Sequence, residues 1–195
     1  MAQNELRSAV SGWLKMSVLS GLVGGVGLIL TGIALLSVLN EAEFEIVEPF
    51  GASAIVLLSL ALPAVYIAER SWFGHLAKSG FGSMSLGWVV ATVGIVLTSL
   101  TMPPLSETGF LAFLLGLLVA MLGALVFGVA ILRSDAATIP RLGAYCLIAA
   151  LPVGVPFAIG FTTYVMGEGA DPWAGSMILY GLAWVVFGRS LWTRR

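Results

Sequence analysis

The sequence predicts an all-α transmembrane bundle of six spans, arranged as three hairpins with both termini on the cytoplasmic side. Three observations predict it. Only 10% of the residues are charged, where soluble chains run near about 25%. Uncharged apolar stretches recur six times along the chain. Every Lys and Arg falls on one side of the membrane those stretches imply. With 59% hydrophobic residues in 195 and a mean hydropathy of +1.04, one soluble core cannot hide the apolar side chains of a chain this size. The lipid bilayer is the expected surroundings of a single transmembrane domain over 1–195.

A bilayer core of about 30 Å takes roughly 20 residues of helix. The apolar stretches lie at 16–39, 51–68, 86–101, 110–132, 142–165 and 173–188. The third and sixth are short and are expected to extend at their ends. Turn-forming residues separate them: Pro49, Pro103-Pro104, Pro140 and Pro172. The first stretch follows Arg7 and Lys15, as a signal peptide would, but its 24 residues exceed an ordinary signal-peptide core and no small-x-small cleavage site precedes the acidic stretch. It is read as a retained span.

The charges set the orientation. Starting inside and crossing six times, the inner segments hold Arg7, Lys15, Arg70, Lys78, Arg133, Arg141, Arg189, Arg194 and Arg195, all nine basic residues. The outer loops hold Glu41, Glu43, Glu45, Glu48, Glu107, Glu168 and Asp171, seven of the ten acids. Adding or removing one span would scatter the basic residues to both sides, against the positive-inside rule. The expected location is the cell membrane of a prokaryote.

Two flanking stretches have the pattern of surface-lying amphipathic helices. In 4–14, Leu6, Val10, Trp13 and Leu14 share a face; in 71–83, Trp72, Phe73, Leu76 and Ala77 do. Trp13, Trp72, Trp173 and Trp192 all fall at predicted span ends, where indole rings prefer to sit.

The dipeptide Arg-Ser recurs at Arg7, Arg70, Arg133 and Arg189, at intervals of 63, 63 and 56 residues, always at an inner edge. Each interval encloses one out-and-back hairpin. Segments 23–31 and 90–98 share five identities in nine, which suggests duplication of a two-helix unit. Helix contacts are expected through small residues: Gly21, Gly24, Gly25, Gly27 and Gly32 in the first span, and Gly116, Gly123 and Gly128 in the fourth.

No Asp, Glu, Lys, Arg or His lies in the central part of any span. That argues against proton relays, ion pathways and voltage sensing, which place ionisable groups there. A retinal Schiff base needs a mid-span Lys, and a b-type haem needs two His where His75 is the single one. A rhomboid-type serine protease needs a His partner that Gly82-Ser83 lacks, thiol redox chemistry needs paired cysteines, and a water channel of the aquaporin type carries two Asn-Pro-Ala turns. Cys146, the only cysteine, sits in an apolar run and reads as a small buried hydrophobe. A net charge of −1 and the lack of a basic tract exclude a nucleic-acid field. No cofactor or catalytic residue is expected.

Three features can carry function. Pro152 and Pro156, with Gly154 between them, break the fifth span: each proline removes a backbone donor and crowds the carbonyl four residues back. Such a break is either a packing kink or a route to a substrate site. Thr162, Thr163 and Tyr164 near its outer end either line a polar vestibule or bond across helices. In 41–48, helical spacing puts Glu41, Glu45 and Glu48 on one face, as a hard cation would need; a solvated acidic loop is the plainer reading.

The run from Phe127 to Arg133, the Pro140-Arg141 step opening the fifth span, and the glycine-rich final helix from Gly181 to Leu191-Trp192 resemble those of small, poorly characterised multi-span membrane proteins of actinobacteria and haloarchaea. The resemblance covers about 70 residues, is mostly topogenic and implies a helical bundle without assigning functional residues. The three-hairpin layout is also similar, by architecture, to the HdeD-type membrane proteins of acid resistance. Two functions are therefore expected in competition. One is a non-enzymatic accessory or scaffold bundle, associating with itself or a membrane-protein partner. The other is a carrier of a small or lipid-like solute, with its site at the broken fifth helix.

Overall fold

A computed structural model describes residues 2–37, 41–99, 105–166 and 172–193, with side chains described from Gly12 in the first helix and from Ile46 in the second. Seven α-helices make up the described chain: α1 Ala2–Leu35, α2 Glu41–Glu69, α3 His75–Thr98, α4 Leu105–Arg133, α5 Arg141–Ala149, α6 Gly154–Phe161 and α7 Ala174–Thr193. A 3₁₀ turn, Arg70–Trp72, links α2 to α3, and α6 runs on into a wider π-type turn, Thr162–Met166. Five helices are long and apolar enough to cross a membrane, and α5 with α6, bent by 57°, is a candidate for one more.

The two expected surface helices take a different form. The stretch 4–14 continues into α1 without a break. The stretch 71–83 is divided: its start is the 3₁₀ turn, and from His75 onward it is the first part of α3. The physical reason is burial. Ala77, Gly80, Phe81 and Met84 form one buried stripe with Gly87, Trp88, Ala91 and Gly94 further up the same helix. Of the apolar face read as membrane-facing, Ala77 belongs to this stripe and Phe73 is buried ahead of it, whereas Leu76 is exposed.

Each hairpin expected from the sequence packs against itself: α1 on α2, α3 on α4, and α5 with α6 on α7. The ring closes through α2 on α3, α4 on α5, and α7 back on α1. Neighbours run antiparallel, as Gly21 meeting Ala61 and Gly27 meeting Ala54 shows for α1 and α2. All described Lys and Arg side chains consequently gather at one end of the bundle, and Glu48 and Glu107 lie at the other.

The tightest contact is α3 on α4. Gly80, Gly87 and Gly94 recur every seven residues on α3, and Gly109, Gly116 and Gly123 do so on α4. A methyl group at Gly87 would stand 2.2 Å from the Ala120 nitrogen, and one at Gly116 would stand 2.4 Å from that of Ala91. The two backbones touch, which is how helices in lipid gain van der Waals energy without a hydrophobic drive. A strict seven-residue repeat keeps the seam facing its partner if the helices wind gently left-handed. The same device joins the ends of the chain. Gly25 and Gly32 of α1 meet Gly181 and Ala174 of α7, and a methyl at Gly181 would lie 2.5 Å from the Gly25 carbonyl.

Hydroxyls add bonds between helices: Ser17 Oγ donates to the Leu60 carbonyl at 2.7 Å, and Ser59 and Thr92 pair at 3.0 Å. In the middle of the ring, Trp88 Nε1 donates to Tyr180 Oη at 2.5 Å, with Trp184 tilted against Tyr180 and Phe187 edge-on to Trp184. At the basic end Tyr66, Trp72, Phe73, Phe81 and Phe127 pack at centroid distances of 4.9 to 6.0 Å. The outer surface is apolar as well. Leu30, Phe50, Leu86, Leu111 and Leu115 are each at least 60% exposed, a pattern that water-soluble monomers avoid over so large a continuous area.

Candidate functional site

The break expected at Pro152–Pro156 is present, between α5 and α6, and it is filled. Pro152 and Pro156 have no N–H, so the carbonyls of Ile148 and Pro152 lose their usual helical donors. Ser176 of α7 reaches across and donates its Oγ hydrogen to the buried Ala150 carbonyl at 2.7 Å. Gly154 and Gly175 bring the two backbones together: a methyl at Gly175 would stand 2.1 Å from the Gly154 carbonyl oxygen. The backbone and hydroxyl of α7 thus occupy the position where a substrate would contact the break. Pro152 and Pro156 turn outward and are exposed.

The polar residues beyond the break do not converge. Thr162 is buried and donates to the Ala158 carbonyl of its own helix at 2.8 Å. Thr163 is exposed, and Tyr164 is 89% exposed. Of the acidic triad, the side chains of Glu41 and Glu45 lie outside the described residues, and Glu48 is exposed. Among the described residues no group of three His, Cys, Asp or Glu is placed to hold a metal ion.

A cavity of about 790 Å³ lies elsewhere, in the acidic-end half of the bundle. It occupies a half-open space between α1, α2, α3, α4 and the start of α7, where α2 and α4 face each other without packing. Its walls are aliphatic and aromatic: Leu35, Ile55, Ile95, Phe110, Phe113, Leu117 and Met177. None of Pro152, Gly154, Pro156, Thr162, Thr163 or Tyr164 lines it. Four residues with side-chain oxygens are among those that line it: Thr31, Glu48, Thr98 and Ser99. Thr98 and Ser99 donate to carbonyls of their own helix, Gly94 at 2.8 Å and Ile95 at 2.9 Å. Thr31 is only 4% exposed, and its Oγ1 has no hydrogen-bond partner. Gly51 makes this approach of α2 possible, since a methyl there would stand 2.9 Å from Thr31 Cγ2. Thr31 and Thr98 are the last residues of the two aligned segments 23–31 and 90–98, so the suspected repeat brings equivalent threonines to one cavity.

At the opposite end one carboxylate is buried. Glu69, 1% exposed, closes α2 and accepts from Trp72 Nε1 at 2.5 Å, from the Thr138 amide at 3.1 Å and from Thr138 Oγ1. It ties the end of α2 to the loop between α4 and α5. Reading the sequence does not single out Glu69. Its local signal, a Glu three residues before a Trp, is too common to single it out.

No protein-family model, no curated protein and no solved structure matches this chain.

Proposed function

We propose that this chain is a six-span integral membrane protein of a prokaryotic cell membrane, with both termini cytoplasmic, acting as a non-enzymatic accessory or scaffold bundle that associates with itself or with another membrane protein. The observation that carries this reading is the filled break. The site at which a carrier was expected is packed against Gly175 and bridged by Ser176. A carrier needs two arrangements of the elements around its site, and backbone-to-backbone glycine contacts leave little room for a second. The gathering of the described Lys and Arg side chains at one end supports the orientation. The long apolar exteriors of α1 to α4 support insertion in lipid.

The test is cross-linking in native membranes, followed by native mass spectrometry of the extracted assembly and by solute-uptake measurements in proteoliposomes. A scaffold gives an assembly of fixed stoichiometry, and Pro152→Ala with Pro156→Ala leaves it intact. A monomer at every expression level, with uptake abolished by those two substitutions, would refute the proposal.

A further inference from the structure

We infer that the outer face of the α1–α7 seam is a binding site for an anionic phospholipid, its phosphate held between Lys15 and Arg189 at the basic end of the bundle. The inference goes beyond the scaffold reading and rests only on the chain being embedded in lipid. Three observations carry it.

The first is where the seam places two cations. Gly188 of α7 meets α1 at Leu22, where an added methyl would stand 2.6 Å from Leu22 Cγ. Arg189 follows Gly188 directly, and Lys15 lies two turns before Leu22 on the same face of α1. The two cations are thus separated along the seam by about 10 Å, a gap that their long arms close from either side of one phosphate. Both are exposed. Trp192, 49% exposed, stands one turn beyond Arg189 and between the two in height, as an indole at the headgroup level would.

The second is the track that leads from them into the membrane. Leu22, Val26 and Ile33 continue the Lys15 face of α1 at helical spacing, and Val185, Leu182 and Ile178 continue the Arg189 face of α7. Ile178 marks the edge of the seam, since a methyl at Gly32 would stand 2.7 Å from its Cγ1. Val26, Ile33 and Leu182 are exposed. The two rows therefore wall a shallow apolar groove on the outside of the bundle, with the Gly25–Gly181 backbone contact as its floor. An acyl chain lies along such a groove while its headgroup meets the cations.

The third is unmet charge. Neither Lys15 nor Arg189 has an ion-pair partner among the described residues. The acids described at this end are engaged elsewhere: Asp135 stands 3.9 Å from Arg141, and Glu69 is buried against Trp72 and Thr138. Basic sites between helices at a membrane edge attract anionic headgroups, at a gain that adds up per cation. Lys78 has no such setting, because it lies two residues from Gly80 and so on the side of α3 turned away from α4.

The experiment is native mass spectrometry of the full chain released from nanodiscs of equal phosphatidylglycerol and phosphatidylcholine. The discs carry the same mixture in both leaflets, so the readout does not depend on which side the termini occupy, and insertion is read separately by co-elution with the disc. Retention of phosphatidylglycerol over phosphatidylcholine is expected. Lys15→Gln and Arg189→Gln should each weaken it about fivefold, and together about twenty-five-fold. Lys78→Gln, which removes the same charge elsewhere, should leave it unchanged. Should the double variant fail to insert, a diazirine-tailed phosphatidylglycerol on the unaltered chain is expected to label peptides containing Val26 and Leu182. Equal retention of the two lipids overturns the site, as does labelling spread evenly over all the helices. A Lys78→Gln loss as large as that of Arg189→Gln would make the effect a diffuse field of the basic end and also overturns it. So does displacement by glycerol phosphate, which would make the ligand a soluble anion, or a cross-link between copies through Val26 and Leu182, which would make the occupant a second copy.

Discussion

Glu69 shows how much one side chain can do at a helix end. Its carboxylate is almost fully buried and accepts from Trp72 and twice from Thr138, so it joins α2 to the loop before α5. Hydrogen bonds to a charged group are each worth about 1.5–3 kcal/mol net, and truncation leaves buried donors behind. Glu69→Ala is therefore expected to destabilise the bundle by about 3 kcal/mol, and Glu69→Gln by about half of that, since the amide keeps one acceptor. Equilibrium unfolding in mixed detergent micelles reads both, and a double-mutant cycle with Trp72→Phe isolates the shared bond. A Glu69→Ala midpoint equal to that of the parent would show the carboxylate to be idle. Nothing local in the sequence reveals this role, because Thr138 is 69 residues away. The same holds for Trp88 and Tyr180, 92 residues apart and bonded at the centre of the ring. Tyr180→Phe removes the only acceptor shown for the Trp88 indole and should cost about 1 kcal/mol in the same titration.

At the scale of helices, the α3–α4 seam is held by backbone contact and not by charge. Six glycines at seven-residue intervals let the two backbones touch along their length. An added methyl at Gly87 or Gly116 meets backbone atoms of the facing helix, which cannot move aside alone. Gly87→Ala is expected to cost about 2 kcal/mol or more through overpacking. Gly82, on the same helix, has nothing within 4 Å of its added methyl, so Gly82→Ala should be neutral or stabilising by up to about 1 kcal/mol. The contrast between the two, measured by unfolding and by protection of α3 from hydrogen exchange, tests the seam apart from helix propensity. The α4 half of the seam was legible in Gly116 and Gly123. The α3 half was not, because the third span was read from 86 onward and Gly80 fell in the stretch taken for a surface helix. The proline break was legible too, since Pro152 and Pro156 lack donors whatever surrounds them. What fills it was not: Gly175 and Ser176 belong to another helix, and only the closed ring brings them to Gly154 and Ala150. Ser176→Ala should therefore destabilise by about 1–2 kcal/mol, read in the same titration, by leaving the Ala150 carbonyl without its interhelical donor.

For the whole molecule, hydropathy and charge made the helical class and the sorting of basic residues to one end readable before any contact was known. They could not show which face of a span looks inward. Leu86 and Trp88 are both apolar neighbours, yet one is 61% exposed and the other fully buried. For the same reason the cavity was invisible in the sequence, since it is a gap between α2 and α4 and not a property of either helix. The central claim is that the bent pair α5–α6 completes a sixth crossing, with both termini inside. Impermeant maleimide labelling of single cysteines in intact cells, on a Cys146→Ser background, tests it most directly. Cysteines at Glu48, Glu107 and Trp173 should label from outside, and cysteines at Lys78, Asp135 and Thr193 only after permeabilisation. If Asp135 and Trp173 label from the same side, residues 141–165 form a re-entrant loop and the six-span account is wrong.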